Sequence, residues 1–242
     1  MGSAIFITGT GTDIGKTIVT SFLHKIFTRT GLKAKVFKPI QSGFDDKKQS
    51  YPDSNWFQKS IGDDQTGMYF FKPAVSPHLA EKLTGQKVNI EKIKQKLNEL
   101  KELYDMVIVE GAGGLAVPLQ EREHELYMTK DFIKELQIPV VLVSLCGLGS
   151  IHHAVTTAHY AINEGLEIKG VVFNQFDDQN FLHMDNVLMI QKLTGLPVLA
   201  KLPYFRNLLP DLDEWISKHQ FDEMIAKLKN KKEKTIKHTY KQ

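Results

Sequence analysis

Lysines, hydroxyls and carboxylates at the ends of short apolar runs carry the chemical signal of this 242-residue sequence. The run Ala4 to Thr8 leads into Gly9-Thr10-Gly11-Thr12-Asp13-Ile14-Gly15-Lys16-Thr17, and Ile18 continues into a helical pattern. A glycine-rich turn between a strand and a helix gathers backbone N–H groups around one point. The positive end of the helix adds to their field, so such a turn can wrap a phosphate chain. On this reading Thr12, Asp13, Ile14, Gly15, Lys16, Thr17 and Ile18 form the nucleotide loop. Lys16 reaches the β and γ phosphates of a nucleotide and the Thr17 hydroxyl ligates Mg²⁺. The turn departs from G-x-x-x-x-G-K-[ST] in holding Thr10 where that pattern asks for glycine. A dinucleotide fingerprint fits less well, because its third glycine would fall on Ile14 and its second-strand acid on Lys38.

Four further places set chemically useful side chains at strand ends, the edge at which open α/β sheets take ligands. Lys38, in Lys38-Pro39-Ile40-Gln41-Ser42-Gly43, either faces an anionic reacting group or is a solvated strand-end lysine. Met106-Val107-Ile108-Val109-Glu110 puts an acid at the tip of a buried strand, and Gly111-Ala112-Gly113-Gly114 then leaves room for a ligand. An acid so placed beside a phosphate loop is the expected partner of Mg²⁺. Asp53 is either a third metal contact or the N-cap of the helix after it. Asn174, followed by Gln175, ends the fifth strand with a donor and an acceptor that suit a purine edge. Pro203-Tyr204-Phe205 either walls the base or supplies ordinary loop and core aromatics. His152 and His153 read as capping or surface groups at a helix start.

Positioning these groups requires a scaffold, and the chain alternates strand-length apolar runs with longer stretches of helical period. Predicted strands are Ala4 to Thr8, Ala34 to Lys38, Met106 to Glu110, Val140 to Leu145, Gly170 to Asn174 and Val198 to Leu202. Several are apolar throughout, as strands covered on both faces are. Asn89 caps a helix whose Ile90, Ile93, Leu97, Leu100 and Leu103 make one apolar stripe. Other helices are predicted over Gly15 to Arg29, Ser54 to Ile61, Pro77 to Leu83, Tyr127 to Leu136, Ile151 to Asn163, Asn180 to Thr194 and Asp211 to Lys229. The expected fold is α/β, with a mainly parallel central sheet, helices on both faces and a phosphate loop of the P-loop NTPase type. Residues 1–229 are expected to form a single domain and residues 230–242 a flexible Lys-rich tail.

Composition narrows the function classes. The formal charge is +3, but residues 227–242 hold seven Lys against one Glu, leaving 24 basic and 27 acidic residues over 1–226. The basicity belongs to the tail, which argues against a nucleic-acid groove. One cysteine, Cys146, cannot form an internal disulfide, and neither a signal pattern nor an 18-residue apolar run is present. The expectation is a cytoplasmic protein with no membrane partner.

The ordered set Gly-Thr-x-Thr-x-x-Gly-Lys-Thr, Lys-Pro-x-x-Ser-Gly, Ser-Pro-His (Ser76 to His78), Val-Glu-Gly-Ala-Gly-Gly and the strand-end Asn174 resembles the dethiobiotin synthetase family, ATP-dependent ligases of biotin synthesis. The resemblance runs from about Phe6 to Phe205 and implies a reaction of a 7,8-diaminononanoate-type diamine with CO₂ and ATP. One amine is carboxylated, the carbamate attacks the γ-phosphate, and the second amine closes a cyclic urea. It further implies that Lys16 and Lys38 are catalytic, that Lys38 stabilises the carbamate and that Ser42 hydrogen-bonds the substrate. Thr17, Asp53 and Glu110 become the Mg²⁺ set, Gly111, Ala112 and Gly113 part of the nucleotide site, and Asn174 the adenine reader. A homodimer with the site near its interface is expected. The chain departs from the family at His152, where an Asn is familiar, and at Gly147, where a Lys can occur. The rival reading is a regulatory or partitioning P-loop ATPase, against which stands the absence of a second lysine within the phosphate loop.

Overall fold

A computed structural model describes residues 1–123 and 125–229. At its centre lies β1 (Ser3–Gly9), paired on one side with β4 (Met106–Glu110) and on the other with β7 (Val140–Ser144). Outside β4 come β2 (Ala34–Ser42) and β3 (Gly67–Phe71), and outside β7 come β8 (Ile168–Phe173) and β9 (Val198–Lys201). The order is β3-β2-β4-β1-β7-β8-β9, every ladder parallel. A parallel sheet needs crossovers. They are α1 (Lys16–Arg29), α2 (Pro52–Ile61), α3 (Pro77–Thr84), α4 (Ile90–Leu103), α5 (Thr129–Leu136), α6 (Ser150–Asn163) and α7 (Phe181–Thr194). A small hairpin of β5 (Pro118–Glu121) and β6 (Leu126–Met128) stands off the main sheet.

Strand alternation sorts the core into layers. Phe6, Val107 and Val109 pack with Ile93, Leu97 and Leu100 of α4. Ile5, Ile7 and Ile108 point the other way, onto Val19, Phe22 and Leu23 of α1. By the same alternation Glu110, two residues beyond Ile108, belongs on the α1 side. The predicted cap of α4 is present, with Asn89 accepting from the Lys92 N–H at 3.0 Å.

Several boundaries differ from the predicted ones for identifiable reasons. β2 does not stop at Lys38 but runs on to Ser42, paired there with β3, an edge strand the sequence reading did not anticipate. Pro39 is tolerated because the Lys38 N–H already bonds toward β3, so the missing N–H of Pro39 faces the side where β4 ends. Helix α5 starts at Thr129 and not Tyr127, since Leu126–Met128 are drawn into the hairpin. The single helix predicted over Asp211 to Lys229 is two, α8 (Leu208–Lys218) and α9 (Asp222–Lys229). Between them Phe221 turns into the core 5.1 Å from Phe22, and the Arg29 guanidinium takes the carbonyls of Ile216 and His219. Burying one aromatic and satisfying the final α8 carbonyls outweighs continuing the helix. No helix among the described residues is long and apolar enough to cross a membrane. The predicted tail, residues 230–242, lies outside the described residues.

Candidate active site

The chain runs outward from β1 to β2 and β3, returns to β4 beside β1, then continues through β7 to β9. This reversal leaves a crevice over the carboxyl ends of the central strands, where side chains from distant sequence positions meet.

The phosphate loop is tied down on the β7 side, where the Thr10 N–H donates to the Val143 carbonyl at 3.0 Å. Gly15, at φ 91°, caps α1, and a Cβ there would lie 2.0 Å from the Asn174 amide nitrogen. Only glycine meets both demands. Helix α1 starts at Lys16 without a side-chain cap, leaving its first N–H groups for a ligand. The Lys16 ammonium folds back onto the Gly11 carbonyl at 2.9 Å. Burial holds its pKa below the ordinary lysine value, against the opposing pull of Glu110.

The second cluster forms across β2, β4, α1 and α2. Phe37 is level with Val109 in the β2–β4 ladder, so Lys38 is level with Glu110 and both face α1. Lys38 Nζ stands 2.6 Å from Glu110 Oε1 and 2.6 Å from Asp53 Oδ2. The Thr17 hydroxyl lies 2.9 Å from Glu110 Oε1 and 3.2 Å from Asp53 Oδ1. Glu110 is fully buried and Lys38 is 6% exposed. Burial works against the charge on Lys38, but Glu110 and then Asp53 outweigh it and hold the ammonium above the usual lysine range. The solvated-lysine reading of Lys38 therefore fails. The helix-cap reading of Asp53 fails too: the N-cap is Tyr51, and Asp53 sits one position inside the first turn.

A residue given no role by the sequence reading positions Asp53. Turned so that both its ends are satisfied, the Gln41 amide accepts from the N–H groups of Asp53 at 3.0 Å and Ser54 at 3.3 Å, and donates to Ser54 Oγ at 2.7 Å. It thus binds the open amides at the α2 start from β2. The only signal in the sequence was its place two residues before the glycine in Lys-Pro-x-x-Ser-Gly. Trp56 reinforces the placement by donating to Ser21 on α1 at 2.8 Å.

The oxygens of Thr17, Asp53 and Glu110 suit a hard divalent cation, which prefers such donors and leaves its other positions to water and phosphate. Glu110 Oε2 is buried and has no partner, a second oxygen still to be satisfied. The group fits Mg²⁺ on these grounds. His152 and His153 are exposed at the start of α6, whose N-cap is Gly149, so neither histidine caps it. Among the described residues no group of three or more His, Cys, Asp and Glu side chains could hold a metal.

Beyond β7 and β8, Thr10, Thr12, Ile14, His153 and Gln175 line a cleft of ≈ 410 Å³. Asn174 is buried just past β8 and donates its amide to the Ile14 carbonyl at 2.9 Å. One amide hydrogen is thereby committed to the phosphate loop, and a base can use the other hydrogen and the oxygen. Pro203 and Tyr204, the latter 68% exposed, line a second cleft next to β9, whereas Phe205 is turned into the core against Trp215, ring centroids 6.2 Å apart. Phe205 backs the wall and does not face a ligand. On the β2 side Ser42 pairs with Phe71, and the Gly43 N–H bonds to Pro73 close before Ser76-Pro77-His78, where α3 begins. Gly111 passes so near Phe6 that a Cβ would stand 2.7 Å from its ring. Burial pushes the Cys146 thiol up to about 11, so it is no thiolate nucleophile.

Comparison with known proteins places this geometry. The family described as "AAA domain" matches residues 3–211. An "ATP-dependent dethiobiotin synthetase BioD" of Geobacillus sp. (strain WCH70) is 52% identical over 204 residues, covering 84% of this chain and 85% of its own. Its counterpart from Geobacillus kaustophilus is 46% identical over 232 residues, covering 94% and 96%. That of Clostridium novyi is 38% identical over 213 residues, covering 86% and 90%. Among solved structures, the MinC:MinD cell division protein complex of Aquifex aeolicus superposes with a TM-score of 0.56 at 14% identity, over 94% of each chain. The cell division ATPase MinD of Pyrococcus furiosus gives 0.54 at 16% identity, over 94% and 97%. These structural likenesses show the fold, a parallel central sheet with helices on both faces.

Proposed function

This chain belongs to the ATP-dependent dethiobiotin synthetase family, an ATP-dependent ligase of biotin biosynthesis, and on that premise we propose that it converts 7,8-diaminononanoate and CO₂ to dethiobiotin. The observation that carries the reading is the meeting of Lys38, Thr17, Asp53 and Glu110 over one sheet edge, one cation and two carboxylates from four separate elements, with the Lys16 ammonium of the phosphate loop close enough to feel their charges.

In this reaction one amine adds to CO₂, losing a proton to become a carbamate. A carbamate oxygen then attacks the γ-phosphorus of ATP, expelling ADP and forming a carbamic–phosphoric anhydride. The second amine attacks the carbonyl carbon, phosphate leaves, and the cyclic urea remains. The open α1 amides and Lys16 bind the phosphate chain. Lys16 exchanges its single carbonyl partner for phosphate oxygens, a large electrostatic gain in a largely desolvated setting. Lys38 stabilises the carbamate and the charge passing to the transferred phosphoryl group, and Ser42, at the end of the same strand, hydrogen-bonds the substrate. Thr17, Asp53 and Glu110 hold Mg²⁺, which neutralises phosphate charge when bound. Gly111, Ala112 and Gly113 leave room for the nucleotide, while Asn174, Gln175, Pro203 and Tyr204 bound the base. The protein acts as a homodimer, which light scattering in solution tests.

Phosphate release from ATP, measured with and without diamine plus bicarbonate, tests the reaction. Release that requires the diamine, with stoichiometric dethiobiotin, is the expected result. Release indifferent to the diamine would replace this reading with a switch ATPase.

A further inference from the structure

Lys38 closes an ion triad around the oxygens assigned above to Mg²⁺. Its ammonium lies 2.6 Å from Glu110 Oε1 and 2.6 Å from Asp53 Oδ2, and the Thr17 hydroxyl leans on the same two carboxylates. Two carboxylates facing each other in a buried site repel strongly, and one of these is entirely out of water. The lysine resolves that repulsion without any metal. An ammonium and a divalent cation cannot both rest on one buried carboxylate oxygen, since water screens little of their repulsion there.

We propose that Lys38 is the internal counter-ion of the metal site and is displaced from Asp53 and Glu110 when the divalent cation enters, which frees its ammonium for the substrate. This deepens the functional reading and rests on the assignment of Asp53 and Glu110 to the metal. Two consequences follow from the exchange. The metal alone binds weakly, because it must evict a well-paired cation. Lys38 reaches the reacting oxygens only after the metal has arrived, so the site is not armed before its nucleotide–metal complex is in place.

The test is binding of Mn²⁺ alone, without nucleotide, followed by the electron paramagnetic resonance signal of free Mn²⁺. It uses the wild type, Lys38→Gln, Lys38→Arg and Glu110→Gln. Removing the resident charge should tighten Mn²⁺ binding about tenfold or more in Lys38→Gln. Lys38→Arg, which keeps the charge, should stay near the wild type, and Glu110→Gln should bind more weakly. Lys38→Gln leaves two carboxylates unpaired, so thermal melts of the same proteins accompany the titrations: Mn²⁺ should raise its Tm more than that of the wild type. A variant that folds only with Mn²⁺ present would equally support the exchange. Affinity in Lys38→Gln equal to or below the wild type, with Glu110→Gln weakened, would overturn the exchange and leave the metal assignment standing. Tightening in Lys38→Arg as large as in Lys38→Gln would overturn it as well. Unchanged affinity in Glu110→Gln would remove the metal assignment and the exchange together.

Discussion

Lys16 opens α1 just past β1, and Lys38 lies on β2, on the far side of β4, yet their surroundings act on them in opposite directions. Lys16 has one backbone carbonyl at 2.9 Å, and burial lowers its pKa. Lys38 is more deeply buried, but two carboxylates at 2.6 Å each raise its pKa despite that burial. The first is a cation in want of an anion and gains from the first phosphate to arrive. The second is already compensated and gains little until its counter-ions are engaged elsewhere. Position at a sheet edge thus does not fix the task of a lysine; the charges that fold around it do.

Breaking the uncompensated side should have the largest effect. Lys16→Ala removes the only side-chain cation of the phosphate loop, so ATP binding weakens and turnover falls roughly 10³-fold or more. Equilibrium nucleotide binding and steady-state rates read both quantities, and near-normal ATP affinity in this variant would erase the contrast. Lys38→Gln should fall on the chemical step, lowering kcat on the order of a hundredfold while binding of ATP without metal changes little. Single-turnover ring closure beside measured ATP affinity separates the two, and a wild-type closure rate would return Lys38 to a purely structural ion pair.

Glu110→Gln sharpens the contrast from the counter-ion side, because it keeps the volume and removes one of the charges that hold Lys38. The Mg²⁺ concentration for half-maximal activity should rise roughly tenfold. Asp53→Asn should move the same titration in the same direction but by less, since the Asp53 side chain is 31% exposed and Glu110 is not exposed at all. Asn174→Ala is expected to be mildest, raising the KM for ATP several-fold with a smaller change in kcat, because base contacts are felt equally before and in the transition state. Equal losses in both constants would assign Asn174 chiefly to holding the phosphate loop through Ile14.

How much of this was legible beforehand depended on the range of the interaction. The strand–loop–helix unit around Lys16, the Asn89 cap and the apolar runs of β1 and β4 were readable, because each is set by residues within one or two turns of one another. The order of the motifs was likewise enough to indicate the family. Four features were not readable. Lys38 is level with Glu110 only through the β2–β4 register. Asp53 is aimed inward because Gln41 of another strand takes the amides at the start of α2. Phe205 was one of three adjacent candidates for a base wall, and packing against Trp215 removed it. The chain between α8 and α9 breaks for Phe221 and for Arg29, a residue far earlier in the sequence. Residue types and local spacing determined which chemical groups would be present and which edge of the sheet would bear them. The tertiary structure alone decided which charges touch, because a buried charge takes its pKa and its partner from groups brought within a few ångströms by strand register and helix packing, and no local pattern encodes that proximity.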